Sequence, residues 1–157
     1  MQPSVAPVGF EVPLRFLLGV GAAVVATLAM DAVMARRPEG TTPPTVASGV
    51  LTDRHPDHAP DRLATVVHYL AGALSGALYV WLLYATEAAF DADGALVTAV
   101  AAVVLLALMV GFFAVVVLPR SRIQRGRVAA VRRDWTVAAG AYVLVLAPLV
   151  ALASTLL

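Results

Sequence analysis

Four stretches of the chain are apolar almost without interruption, and polar or proline-rich segments separate them. They run from Leu14 to Ala35, Leu63 to Thr86, Ala95 to Leu118 and Asp134 to Leu157. At 1.5 Å per residue, about 20 helical residues cross a hydrocarbon core of about 30 Å, so each stretch predicts a membrane-spanning helix. In the second stretch His68, Gly72, Gly76 and Tyr79 recur at helical spacing and share one stripe. Gly72 and Gly76 have the separation at which membrane helices approach backbone to backbone, so this stripe, Tyr79 included, is read as the packing face for the other helices. A phosphate-binding loop is the competing reading of the two glycines, and the strand that should precede it is missing.

The segments between the spans are informative in different degrees. Met1 to Pro13 holds three prolines and one acid and reads as a tail. In the long connection 36–62, Arg36-Arg37-Pro38-Glu39-Gly40 stops one helix and Thr41-Thr42-Pro43-Pro44 prepares another. A short helix over about 45–53 is expected there, with Val46, Val50 and Leu51 on one side, lying on the membrane surface or under the bundle. Glu87 to Gly94 is a short acidic turn, most simply a hydrated connection. Gly111 is the one packing notch expected in the third span, and Pro119 ends that span. Arg120 to Arg133 is expected to be a basic loop, and Pro148 to kink the fourth helix. A cleaved signal peptide is the competing reading of the first span, but a basic leader is missing and Arg36-Arg37 follows a run too long for one.

Composition fixes the class. Hydrophobic residues make up 61% of the chain and charged ones 13%, against roughly 45–50% and about 25% in soluble domains. The expectation is an all-α membrane protein, a single domain over 1–157 folded as an antiparallel bundle of four transmembrane helices with a short interfacial helix in the first cytoplasmic loop. Arginines fall in the first connection (Arg36, Arg37, Arg54, Arg62) and in the third, and the second has none. By the positive-inside rule this places both termini outside a cell membrane. Arg15 alone disagrees. Trp135, at the start of the fourth span, fits an interfacial aromatic belt, and Trp81 is read as packing or lipid-facing. The net charge of +1 gives no footprint for nucleic acid, and the absence of cysteine removes disulfides, thiolate metal sites and thiol nucleophiles.

Few polar residues could carry chemistry. Asp31 is the only ionisable group deep in the first span, and His68 the only one inside the second. Counted from Arg36 and Arg62, both lie roughly 7–9 Å below the cytoplasmic ends. Matched depth on adjacent helices predicts an Asp31–His68 pair, with Thr27 four residues before Asp31 completing a polar cluster. One reading is a proton-responsive or substrate-binding site; the other is two residues that satisfy each other and lock two helices. His55, Asp57 and His58, with Asp53 and Asp61 nearby, have the residue types for a divalent metal, but the proline-punctuated loop offers no regular element to fix ligands, and no metal is expected. No cofactor is expected either, since a bis-His haem lacks a second histidine in a span. Arg120, Arg122, Arg125, Arg127, Arg132 and Arg133 are candidates for lipid headgroup contact, each worth about 1 kcal/mol near an anionic surface, or simply a topology signal.

The small-residue first helix through Thr27 and Met30, the Pro43-Pro44 loop leading to Val46 and Leu51, and then His68, Gly72, Gly76 and Tyr79 resemble the small YagU-like inner-membrane proteins of prokaryotes. The similarity covers the first half of the chain. It implies a four-helix membrane fold and brings no catalytic residue with it. The expected function is therefore a structural, accessory or stress-related membrane protein and not an enzyme, with lipids and another membrane subunit or a second copy as partners. The alternative is a small oligomeric transporter or proton-linked permease using Asp31 and His68.

Overall fold

The computed structural model describes residues 11–155, and every regular element among them is helical. α1 spans Glu11–Met34, α2 Thr42–Thr52, α3 Asp61–Phe90, α4 Ala95–Phe112 and α5 Arg125–Ser154. A 3-10 turn, Pro56–His58, lies between α2 and α3; α4 continues into a π-helical turn, Phe113–Val117, and a 3-10 turn, Leu118–Arg120. α1, α3, α5 and the run from Ala95 to Arg120 are long and apolar enough to cross a membrane. Most of the expected N-terminal tail, and the last two residues of the fourth span, lie outside the described residues.

Several boundaries differ from those expected, for identifiable reasons. α2 starts at Thr42, not near 45, because Pro43 and Pro44 occupy its first turn, where a fixed φ helps and an amide proton is not needed. α3 runs on to Phe90 because Glu87 to Phe90 contain no breaker, and Asp91 closes it in the left-handed conformation at φ 47°. α5 begins at Arg125, not 134, so half of the expected basic loop is helix: arginine is a good helix former, and Val131, Asp134 and Ala138 are buried at helical spacing while Arg132 and Arg133 stay exposed. α4 loses regular geometry after Phe112 because Pro119 has no amide proton and would press on the Val115 carbonyl; the widened π turn, with Leu118 N–H bonded to Phe113 O, relieves that conflict. α5 continues through Pro148 to Ser154.

α1 packs against α3 and α5, and α4 packs against the same two helices. The approach is closest along α1, whose interior face is made of Gly19, Ala23, Ala26, Thr27, Met30 and Met34. A Cβ on Gly76 would collide with that of Ala23 and stand 2.5 Å from the Gly19 carbonyl oxygen, and one on Gly72 would collide with the Thr27 hydroxyl. A Cβ on Gly111, expected to be a notch, meets nothing within 4 Å. Tyr79 is fully buried and donates to the Thr98 carbonyl of α4 at 3.3 Å, while Tyr142 of α5 reaches across to the Gly72 carbonyl at 2.7 Å. The outward surfaces are apolar as well: Leu96, Val103 and Val115 on the α4 run are 72, 66 and 72% exposed. Helices that are hydrophobic all round require an apolar surrounding, which a bilayer supplies.

α2 folds under one end of this arrangement. Val46 is buried among Phe113, Leu118, Ile123 and Val131, whereas Leu51 is 65% exposed. Five residues advance a helix by one turn and about 140°, so the two point apart instead of sharing one side as expected. Trp135 packs at the same end. Because α5 starts early, Trp135 lies nearly three turns inside it, stacks on Phe113 at 4.9 Å and donates to the Met109 carbonyl at 3.3 Å. It is a packing residue, and Trp81 is the one that faces outward.

Replacing Gly76 by leucine is expected to force α1 and α3 apart and cost about 1–3 kcal/mol or more. Thermal unfolding in detergent should show a clear fall in Tm for Gly76→Leu and almost none for Gly111→Ala or Gly140→Ala, where a methyl meets nothing within 4 Å.

Candidate functional site

Asp31 sits one turn before the end of α1, beside the first two turns of α3. His68 Nε2 lies 2.7 Å from its Oδ1, and the Tyr69 hydroxyl donates to its Oδ2 at 2.6 Å. Both carboxylate oxygens are therefore occupied, and the His68 and Tyr69 rings meet edge to face at 5.4 Å. Tyr69 is absent from the sequence-level cluster, although a phenol in an apolar run next to His68 needs an acceptor of its own. Thr27 does not join the cluster. Its hydroxyl donates to the Ala23 carbonyl at 2.8 Å, the usual outlet for a threonine inside a helix, and its side chain packs under Gly72.

A second polar assembly, larger and not anticipated from the sequence, ties the first connection to α5. Asp134 is fully buried; its Oδ1 accepts from Arg37 Nη2 at 2.9 Å and from Arg133 Nε at 3.1 Å, and its Oδ2 accepts from the backbone N–H of Glu39 at 3.0 Å. Glu39 in turn receives two parallel bonds from Arg127, at 2.9 and 2.8 Å, and one from the Thr42 hydroxyl at 2.6 Å. Arg127 extends to Asp57 at 3.2 Å. Three arginines thus meet three carboxylates in one continuous network. The Arg127 hydrogen bonds hold the Glu39 carboxyl below its ordinary value of 4.5 against the opposing effect of burial, with the Thr42 bond and the Arg127 charge adding to the shift.

The opposite end of the molecule is closed in the same manner. Arg15 makes a bidentate pair with Glu87 at 2.7 and 3.1 Å, donates to Ser154 at 3.1 Å, and lies 4.7 Å above the Tyr84 ring. The arginine that disagrees with the charge asymmetry is neutralised where it stands. The remaining candidates are dispersed. The His55 ring accepts from the Asp57 N–H at 3.3 Å as a cap of the 3-10 turn, and Asp57 is engaged by Arg127. Among the described residues no group of three or more His, Asp or Glu side chains could hold a metal ion. Of the six arginines, Arg122 pairs with Asp53 at 2.6 Å, Arg127 with Glu39 and Asp57, and Arg133 with Asp134. Arg120, Arg125 and Arg132 make no ion pair with a described carboxylate.

Four apolar helices with their charges gathered at two ends define a multi-pass helical membrane protein. Comparison with protein families, curated proteins and solved structures gives no match to this chain.

Two outcomes follow from the Asp134–Glu39 network. Asp134→Ala leaves the Arg37 guanidinium and the Glu39 N–H without their acceptor and is expected to cost about 1–3 kcal/mol, read as a lower Tm. Because the folded-state pKa of Glu39 is depressed, its contribution is complete above the ordinary value of 4.5 and is lost as the pH falls through the lower, folded value. A Tm series from pH 7 down to pH ~3 should drop in that acid window, and Glu39→Gln should flatten part of the drop.

Proposed function

We propose that this is a structural or accessory membrane protein, stress-related or serving another membrane subunit, with no reaction chemistry of its own. It is an antiparallel bundle of four transmembrane helices in the cell membrane, with both termini outside and α2 at the cytoplasmic interface. Ten of the eleven arginines lie in or beside the first and third connections, which supports this orientation. The Gly72 and Gly76 face serves helix packing, and the resemblance of the first half to YagU-like proteins supports a fold of this type. The single observation behind the functional reading is that Asp31 and His68, inside the first two apolar runs, and Arg15, Glu87 and Asp134, near the ends of the spans, are all bound by partners in the same chain. No buried side-chain polar atom among the described residues lacks a partner. Groups so engaged hold helices together.

The Asp31–His68–Tyr69 cluster favours a second reading, a small oligomeric transporter or proton-linked permease in which Asp31 and His68 exchange a proton. Purification in gentle detergent from the native membrane, followed by native mass determination, separates the two. The accessory reading expects a stoichiometric foreign subunit and an Asp31→Asn variant that keeps it. A homo-oligomer alone, with solute uptake lost in Asp31→Asn, would replace that reading with the transporter.

A further inference from the structure

A cavity of about 420 Å³ lies between α3 and α4, close to the end where α2 folds under the helices. Trp135 of α5 lines it from within the protein, and Ala71 of α3 and Phe112 of the α4 run line it on either side. Pro43, Pro44 and Ala47 of α2 close the end nearest the arginines. The gap has a local origin. α2 packs on α3 and, through Val46, on Phe113 and Leu118, so it stands between α3 and the last turns of the α4 run.

We propose that this cavity binds one acyl chain of an anionic membrane phospholipid. The inference rests on the chain being a membrane protein. Its volume falls in the range of ligand sites, roughly 300–1,000 Å³. Most polar atoms on its lining are already used: Tyr142 on the Gly72 carbonyl, Trp135 on that of Met109, Thr27 on that of Ala23, and His68 Nε2 on Asp31. The Ser75 hydroxyl and the second imidazole nitrogen of His68 remain, but seven helical residues separate them by about 10 Å along the axis, too far for one water to bridge. Such a space does not hold water, which needs two to four polar partners, and left empty it forfeits the dispersion contacts of its walls. Leu74 and Phe112, 61 and 62% exposed, flank α3 and α4 on their outward sides, so hydrocarbon enters from the bilayer while α2 bars the aqueous end.

The headgroup preference comes from Arg120. It is exposed, makes no ion pair with a described carboxylate, and folds back so that its guanidinium donates to the Val116 carbonyl at 2.6 Å, beside the cavity-lining Val117. A phosphate at the end of a chain held in the cavity meets that free cation.

The chain holds two tryptophans, and they make the test direct. Trp135 lines the cavity and Trp81 is 58% exposed on the outer surface of α3. Single-tryptophan variants, Trp135→Phe and Trp81→Phe, are reconstituted into phosphatidylglycerol vesicles whose acyl chains carry bromine, a contact quencher. Both tryptophans should be quenched at least twofold. Quenching of Trp135 alone should be relieved by Ala71→Phe, which fills the cavity, and Arg120→Gln should remove the advantage of phosphatidylglycerol over phosphatidylcholine for Trp135. Quenching of Trp81 without Trp135, or Trp135 quenching untouched by Ala71→Phe in a variant whose Trp81 still responds, would overturn the site and leave the membrane reading standing. Failure to quench either tryptophan would overturn both.

Discussion

A carboxylate sealed away from water must be held by the protein itself, and Asp134 is the point at which this chain meets that demand. Its two oxygens take the Arg37 guanidinium from the turn after α1, the neighbouring guanidinium of Arg133 and a backbone N–H from Glu39. That fixes the turn after Met34 against α5. Glu39, held in this position, presents its own carboxylate to Arg127, and Arg127 reaches on to Asp57, so the 3-10 turn and α2 are tied to the same helix. The seat of Val46 between the α4 run and α5 follows from that tie, and so does the gap that α2 leaves between α3 and α4.

The four helices are not equivalent. α1 is the one built for contact: its small interior residues let Gly76 and Gly72 approach its backbone and the Thr27 hydroxyl, and Arg15 and Arg37 anchor it at either end. α4 is the reverse. It carries no ionisable side chain between Ala95 and Pro119, exposes leucine, valine and phenylalanine outward, and abandons regular α geometry where Pro119 requires it. Tight association on one side and a loosely filled gap on the other is how a bundle holds its shape with polar clamps and still offers hydrocarbon a place to enter.

Much of the fold was legible in the sequence because the governing signal, long apolar runs between charged connections, is local and strong. Depth counting set Asp31 against His68 because both runs have a definite charged end to count from. Other features depended on information that periodicity does not carry. The Arg37–Asp134 pair joins residues 97 apart, and nothing in either neighbourhood names the other. The arginines from Arg125 to Arg133 read as loop because charge masks a helical stripe whose buried members, Val131, Asp134 and Ala138, include an acid. Helix face alone puts Thr27 with Asp31, whereas a threonine within a helix has a nearer acceptor in the carbonyl four residues back.

Insertion across the membrane is the claim on which the functional reading and the lipid site both stand, and the proposed orientation puts it to a direct test. The chain has no cysteine of its own, so a single introduced thiol reports its side without background. Asp93, between α3 and α4, and Gln124, just before α5, are both exposed and lie in connections of opposite charge character. Asp93→Cys and Gln124→Cys should be treated in intact cells with a membrane-impermeant maleimide. Labelling of Asp93→Cys in intact cells, with Gln124→Cys labelled only after the membrane is opened, is the expected result. Labelling of Gln124→Cys from outside, or equal labelling of both, would contradict it.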